Sequence, residues 1–282
     1  MEIVKVSPGV IAFVRPDEGA NTGLIRTLDG AVMVDTTSSP TDMQRLLDAM
    51  RVSASEARLV VNTHYHSDHT WGNQLFDCPI LAHRLCRERM EARLTEEWTP
   101  EAIEQYITEV QDTEPDWAQG AREKWANLRI TLPSEVFDDR REAEIGGVTL
   151  EVIRFGGHTP DSAVVWLPEA KALFAGDLIF EGRYPYVLDA DVPALVSVLK
   201  RLPDFGAETI VPGHGVLCGD TEIANLVHYL ETTWTLTADH VARGHTADEA
   251  VADPSYPRYA EDPDERFHEE NIRFMYDQLT EE

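Results

Sequence analysis

The stretch Asn62-Thr63-His64-Tyr65-His66-Ser67-Asp68-His69 decides how this chain is read. It sets three imidazoles and one carboxylate within six residues, directly after the apolar run Leu59-Val60-Val61. In an extended segment His64 and His66 point to the same side, because side chains there repeat every second residue. A turn at Ser67 then lets Asp68 and His69 face a second point a few ångströms away. A lone histidine at a strand end is ordinarily packed or solvated. Four titratable groups crowded together instead call for a metal or a proton-transfer task, since unpaired buried polar groups are costly. Neutral imidazole and carboxylate are the usual ligands of catalytic zinc and its neighbours, so two adjacent divalent ions are expected.

Upstream of this stretch, short β-rich runs alternate with turn residues. Met1–Val6, Val10–Val14, Thr22–Leu28 and Ala31–Val34 are strand candidates, with Asp29-Gly30 as the hairpin turn between the last two. Thr41–Met50 carries apolar residues at helical spacing (Met43, Leu46, Leu47, Met50) after a Ser-Ser-Pro-Thr start. Leu59–Val61 and Pro79–Ala82 read as buried strands. Residues 84–134 break the rhythm as two or three amphipathic helices, with Ile103, Tyr106, Ile107 and Val110 as one apolar stripe, placed as a lid over the site.

Strand signals return at Glu142–Ile145, Val148–Phe155 after the turn Gly146-Gly147, Ser162–Leu167, Ala172–Ala175 and Thr209–Val211, with a helix over Val192–Arg201. The tail reads as helices over Thr221–Ala242 and Pro263–Leu279. Three polar residues stand where strands end and glycine opens the backbone: His158 in Gly156-Gly157-His158-Thr159-Pro160, Asp177 in Ala175-Gly176-Asp177, and His214 in Pro212-Gly213-His214. Such loop ends are where a rigid scaffold presents functional groups.

With these residues in place the chain resembles the metallo-β-lactamase superfamily of αββα metallohydrolases. The resemblance rests on five ordered motifs: Asp35 in Val34-Asp35-Thr36, the His64-x-His66-x-Asp68-His69 loop, His158, Asp177 and His214. It spans roughly residues 1–218 and implies a four-layer αββα sandwich with a helical insertion (84–134) and a helical C-terminal extension (219–282) packed on the same domain. It further implies that His64, His66 and His158 bind one metal, that Asp68, His69 and His214 bind the other, and that Asp177 bridges both. Asp35 would support the ligands from behind.

Independently of family, two divalent ions about 3.5–4 Å apart can hold a bridging hydroxide and lower the pKa of bound water to roughly 7, giving a nucleophile at neutral pH. The same ions polarise a carbonyl and neutralise the oxyanion that forms on attack. Asp68 could orient the nucleophile or pass a proton to the leaving group. The expected function is therefore a metal-dependent hydrolase cleaving an ester, thioester, lactone or amide bond of a small molecule, with Zn2+ the leading metal and iron or manganese accepted by the same ligands. His66 disfavours flavodiiron-type chemistry, and Asp177 leans away from true β-lactamases towards glyoxalase II-like and lactonase-like hydrolases. The alternatives are a β-lactamase or a non-hydrolytic member, either a mononuclear iron oxygenase or a lyase or cyclase of specialised metabolism.

Around the loop, Arg183 is a candidate for a substrate carboxylate, and Tyr184 or Tyr186 for donation to an oxyanion. Trp71 reads as a wall or packing residue. His83, His228, His240, His245 and His268 match no ligand motif. The chain has 282 residues, 43% of them hydrophobic, enough for a substantial core. Its 51 acidic and 24 basic residues give a net charge of −27, which repels phosphate backbones and excludes nucleic acid as a partner. No apolar run reaches membrane-spanning length, and the three cysteines, Cys78, Cys86 and Cys218, form no disulfide or metal pattern, so a cytoplasmic setting is expected.

Overall fold

Alternation within each strand sorts side chains between two faces, and that sorting builds the layers. In Gly30–Val34, Val32 and Val34 point one way and Ala31 and Met33 the other; in Ala163–Leu167, Ala163, Val165 and Leu167 oppose Val164 and Trp166. The structure, a computed structural model, describes residues 2–15, 19–260 and 266–281.

Seven strands lie side by side in chain order in the first sheet: Glu2–Ser7 (β1), Val10–Val14 (β2), Thr22–Thr27 (β3), Gly30–Val34 (β4), Ala57–Val61 (β5), Ile80–His83 (β6) and Glu135–Phe137 (β7). Pairing is antiparallel through β4 and parallel from β4 to β7. Arg140–Ile145 (β8), Val148–Arg154 (β9), Ala163–Leu167 (β10), Ala172–Phe180 (β11) and Thr209–His214 (β12) form the second sheet, antiparallel except for the parallel pair β11 and β12.

The inner faces of the two sheets meet in one core, where Val32, Val34, Leu59 and Val61 pack with Leu150, Val152, Val165 and Phe174. Leu150 has no exposed surface, so truncating it to alanine costs about 2–5 kcal/mol. On the outer face of the first sheet, Phe13, Leu24, Met33 and Val60 receive Met43, Leu46 and Leu47 of helix Pro40–Met50 (α1). Ser39 caps that helix by accepting from Asp42 N at 3.0 Å, and Pro40 opens it. The helices Val192–Leu199, Asp220–Ala242 and Arg266–Glu281 cover the outer face of the second sheet, with Leu195, Leu199, Leu226, Leu230 and Met275 against Val164, Trp166 and Leu173. Helix, sheet, sheet, helix is the expected αββα sandwich.

In chain order the helices are α1, Ser67–Thr70 (α2), Arg84–Arg93 (α3), Pro100–Val110 (α4), Pro115–Trp125 (α5), Val192–Leu199 (α6), Asp220–Ala242 (α7), Ala247–Val251 (α8) and Arg266–Glu281 (α9). Several expected boundaries move. The β3–β4 turn is Leu28-Asp29, one residue earlier than expected, because Thr27 pairs with Gly30 and leaves Leu28 92% exposed. Gly146 and Gly147 do form their turn, both at positive φ (51° and 78°), the backbone a type I′ hairpin needs. On α4 only Ile107 of the expected stripe is fully buried, while Tyr106 is 54% exposed and stacks edge-on against Trp117 at 5.6 Å. The helix packs on one neighbour, α5, so a single row of side chains suffices. Met1 and the Pro263 end of the last expected helix lie outside the described residues.

Candidate metal centre

Strand β5 ends at Val61, and the next five residues loop across the mouth of the sandwich before α2 begins at Ser67. Asn62 and Asn73 anchor the loop by exchanging side-chain amide bonds of 3.1 and 2.9 Å, while Asn62 also donates to His69 O. His158 arrives from the loop after β9. His214 is the last residue of β12, at a strand end as expected, whereas Asp177 lies inside β11, which continues to Phe180. The two strands stay paired through bulges, with Gly176 opposite Pro212 and Phe180 opposite His214, so the pairing outlasts the apolar run. At Gly213 a methyl group would overlap Asp177 Oδ1, so the close approach of β12 to that carboxylate requires glycine.

Seven side chains are thereby gathered into two groups: His64, His66, His158 and Asp177, and beside them Asp68, His69 and His214. Asp177 faces both. Its Oδ2 is 3.6 Å from His64 Nε2, 3.6 Å from His158 Nε2 and 3.4 Å from His214 Nε2, and its Oδ1 is 3.0 Å from His69 Nε2. Asp68 Oδ2 lies 3.3 Å from His214 Nε2.

The neighbours behind these rings fix which nitrogen faces inward. Asp35, in a left-handed conformation (φ 60°), accepts from Thr63 N and Thr63 Oγ1 and faces His69 Nδ1, each at 2.8 Å. His69 therefore carries a proton on Nδ1 and turns Nε2 towards Asp177; burial works against charge on this ring, yet Asp177, Asp35 and Asp68 raise it well above its usual range. Because the Thr63 hydroxyl donates to Asp35, it accepts from His64 Nδ1 at 3.1 Å, and His64 also presents Nε2 inward. His66 is reversed. Its Nε2 donates to Asp189 Oδ2 at 2.9 Å, leaving Nδ1 to face His158 Nε2 at 3.2 Å.

Inward-facing ring nitrogens grouped around a shared carboxylate are the donors that a divalent cation takes. Among the described residues, His64 Nε2, His69 Nε2 and Asp177 Oδ1 are buried with no aligned hydrogen-bond partner, the pattern of a donor set shaped for metal. The electrostatics agree. Burial disfavours charge on Asp177, yet the His69, His214 and His64 imidazoles hold its carboxyl well below the usual range. Burial also opposes charge on Asp68, which His69 and His214 nevertheless hold low. Burial and the neighbouring His69 depress His64, and burial holds His158 down to about 3 despite Asp177. Burial works against charge on His214 too, but Asp177 and Asp68 raise it to about 9. The residues fit divalent metal.

Above the centre opens a cavity of about 430 Å³. Arg183, Tyr184 and Tyr186 all line it, as do Asp68 and His214. Tyr184 is 2% exposed, with its ring stacked on His268 at 5.0 Å, whereas Arg183 and Tyr186 are half-buried. Among the described residues no carboxylate pairs with Arg183. Trp71 is buried outside the cavity, edge-on to Trp98 and Trp125, as a packing residue. His83, His228, His240, His245 and His268 join neither group.

Several cavity residues escaped the sequence reading: Asp189, Tyr65, Arg93, Trp98 and Phe267. Asp189 takes bonds from His66 and, at 2.6 Å, from Tyr65 OH, which receives Arg93 at 2.9 Å. The bond from His66 holds the Asp189 carboxyl low. Its one sequence signal is a second acid beside Asp191, the cap of α6, and capping alone accounts for Asp191.

The profile of the Metallo-beta-lactamase superfamily matches residues 15–214. The chain is 26% identical over 216 residues to a Beta-lactamase-like protein 2 homolog of Caenorhabditis elegans, covering 76% of this chain and 61% of that protein. It is 25% identical over 218 residues to the human Acyl-coenzyme A thioesterase MBLAC2, covering 72% of this chain and 75% of the relative. Among solved structures, a metallo-beta-lactamase family protein from Thermus thermophilus superposes with a TM-score of 0.69 at 19% identity, over 98% of this chain and 95% of that one.

Proposed function

Given that the chain belongs to the metallo-beta-lactamase superfamily, we propose that it is a binuclear metallohydrolase cleaving the acyl bond of a small molecule, an acyl thioester foremost. The carrying observation is the pair of adjacent donor groups that share Asp177 on the floor of an open cavity. Thioester is placed ahead of ester, lactone and β-lactam because three similar proteins bear the name acyl-coenzyme A thioesterase, although the chain spans only part of each.

In this reading His64, His66 and His158 would hold one ion and Asp68, His69 and His214 the other, with Asp177 available to both. Ions held there supply Lewis acidity, which ionises water near neutral pH and polarises a carbonyl oxygen. The chain's own groups do the rest. Asp68, whose side chain keeps 29% of its surface open to the cavity, takes the proton of the attacking water and returns it to the departing sulfur as the carbon–sulfur bond breaks. Arg183 binds an anionic group of the substrate, and the Tyr186 hydroxyl donates towards the oxyanion. Asp35 and Asp189 keep the rings oriented.

The test is elemental analysis of purified protein with turnover of a panel of thioesters, esters, lactones and β-lactams, before and after dipicolinate treatment. Two equivalents of metal are expected, with thioester cleavage that chelation removes and Zn2+ restores. Metal-replete protein that cleaves no member of the panel would overturn the hydrolytic reading.

A further inference from the structure

Helices α4 and α5 border a second cavity, open to solvent and about 650 Å³ in volume, lined by Trp98, Ile103, Ile107 and Leu128 and also by the charged Glu104, Arg122 and Arg129. A cleft of this size falls in the range that holds organic ligands, roughly 300–1,000 Å³. Its base is well packed: Ile107, Ala118 and Ala121 are buried against one another, with Ile103 and Trp125 beside them. The outer side is tied by the Arg122–Glu104 pair at 2.8 Å, which joins the two helices.

Trp98 belongs to both this cavity and the one above the candidate metal centre. Behind it the ring stands edge-on to the buried Trp71 at 5.6 Å, and Trp71 stands edge-on to Trp125 of the insertion at 5.1 Å, which fixes Trp98 as the side chain shared by the two spaces. Charged and polar groups concentrate at the metal end, including Asp68, Arg183, Tyr186 and Asp189. Aliphatic and indole carbon makes up the larger share of the insertion end, beside Glu104, Arg122 and Arg129. A ligand spanning both would therefore be an amphiphile whose reactive carbonyl sits over the metals and whose hydrocarbon points into the insertion.

We infer that the insertion cavity binds the acyl chain of the substrate, entering past Trp98; the inference rests on the thioester reading and specifies medium to long acyl groups. Burying one methylene is worth roughly a fourfold gain.

The experiment measures kcat/KM of the metal-replete protein for acetyl- to hexadecanoyl-coenzyme A, together with calorimetric binding of the unhydrolysable thioethers S-ethyl- and S-dodecyl-coenzyme A. Expected is a rise of at least about 100-fold from butanoyl to dodecanoyl, matched by tighter binding of the dodecyl thioether. Ile103→Trp, which fills the cavity, should lower the dodecanoyl-to-butanoyl ratio at least about tenfold, with circular dichroism reporting the fold; Leu128→Trp is the second filling variant. A flat length profile in the unaltered protein overturns the inference and leaves the thioester reading standing, and so does a steep profile that folded filling variants do not change. Failure to cleave or bind any member of the series overturns both.

Discussion

Asp35 sits in left-handed backbone, φ 60°, a conformation that aspartate tolerates better than most residues and that persists where surrounding structure over-determines it. Here three contacts at 2.8 Å do so, and through Thr63 one carboxylate sets the tautomers of both His64 and His69. Asparagine keeps the shape and loses the charge. Asp35→Asn is accordingly expected to weaken metal binding by about 10–100-fold, measured by competition with a chromophoric chelator, while the circular dichroism spectrum is kept. Unchanged affinity would remove Asp35 from its supporting role. Asp68→Ala should abolish turnover in protein that still contains the ion held by His64, His66 and His158; full wild-type rates would contradict the proton-transfer role given to it. The ligand loop was legible at this scale because its groups are neighbours in sequence. Asp189 was not, since it meets His66 across 123 positions and nothing near it distinguishes it from a surface acid.

At the scale of elements, the strands read well wherever apolar residues alternate, and less well where pairing alone prolongs them. β11 runs on through Gly176 and Asp177 to Phe180, and β12 through Pro212 and Gly213 to His214, because the two strands stay paired across these interruptions, which no periodicity reveals. The tail reads as helix from its pattern, yet its role lies in what it touches. Asn271 of α9 donates to Pro185 O at 2.8 Å, Gln278 donates to Ala190 O at 2.8 Å, and Tyr259 donates to Phe180 O at 2.6 Å. These contacts clamp the segment between β11 and α6 that carries Arg183, Tyr186 and Asp189. Asn271 is fully buried, so Asn271→Ala leaves the Pro185 carbonyl unsatisfied and should cost about 1–3 kcal/mol in chemical denaturation, with KM raised more than kcat is lowered. An unshifted denaturation midpoint would show that the clamp is not held there.

For the molecule as a whole, the sandwich was legible through the resemblance that the five ordered motifs carry, since both faces of central strands such as Ala163–Leu167 are apolar and their pattern alone does not assign layers, whereas the cavities were not, because they form between elements far apart in sequence. Among the described residues no helix is long and apolar enough to cross a membrane. Burial pushes the Cys218 thiol up to about 12 and raises Cys78 and Cys86 as well, so all three are protonated at pH 8. Thiol-disulfide reagent should label the native protein slowly and all three sites at once in guanidinium; rapid native labelling would contradict this. Metal removal should also lower the melting temperature, since an ion at about 1,000 times its Kd contributes about 4 kcal/mol, which for a chain of this size corresponds to a drop on the order of 10 °C. An equal melting temperature with and without chelator would argue against metal in the folded state.

The two donor groups draw on both sheets: the histidine loop hangs from β5, while Asp177 and His214 belong to β11 and β12. An ion seated between them would rivet the halves of the sandwich together. Synthesis from the N-terminus would deliver these donors in two instalments, the group closed by Asp177 first and the group that needs His214 only after another thirty-seven residues (214 − 177) have left the exit tunnel, so a chain stalled between them would carry one group without the other.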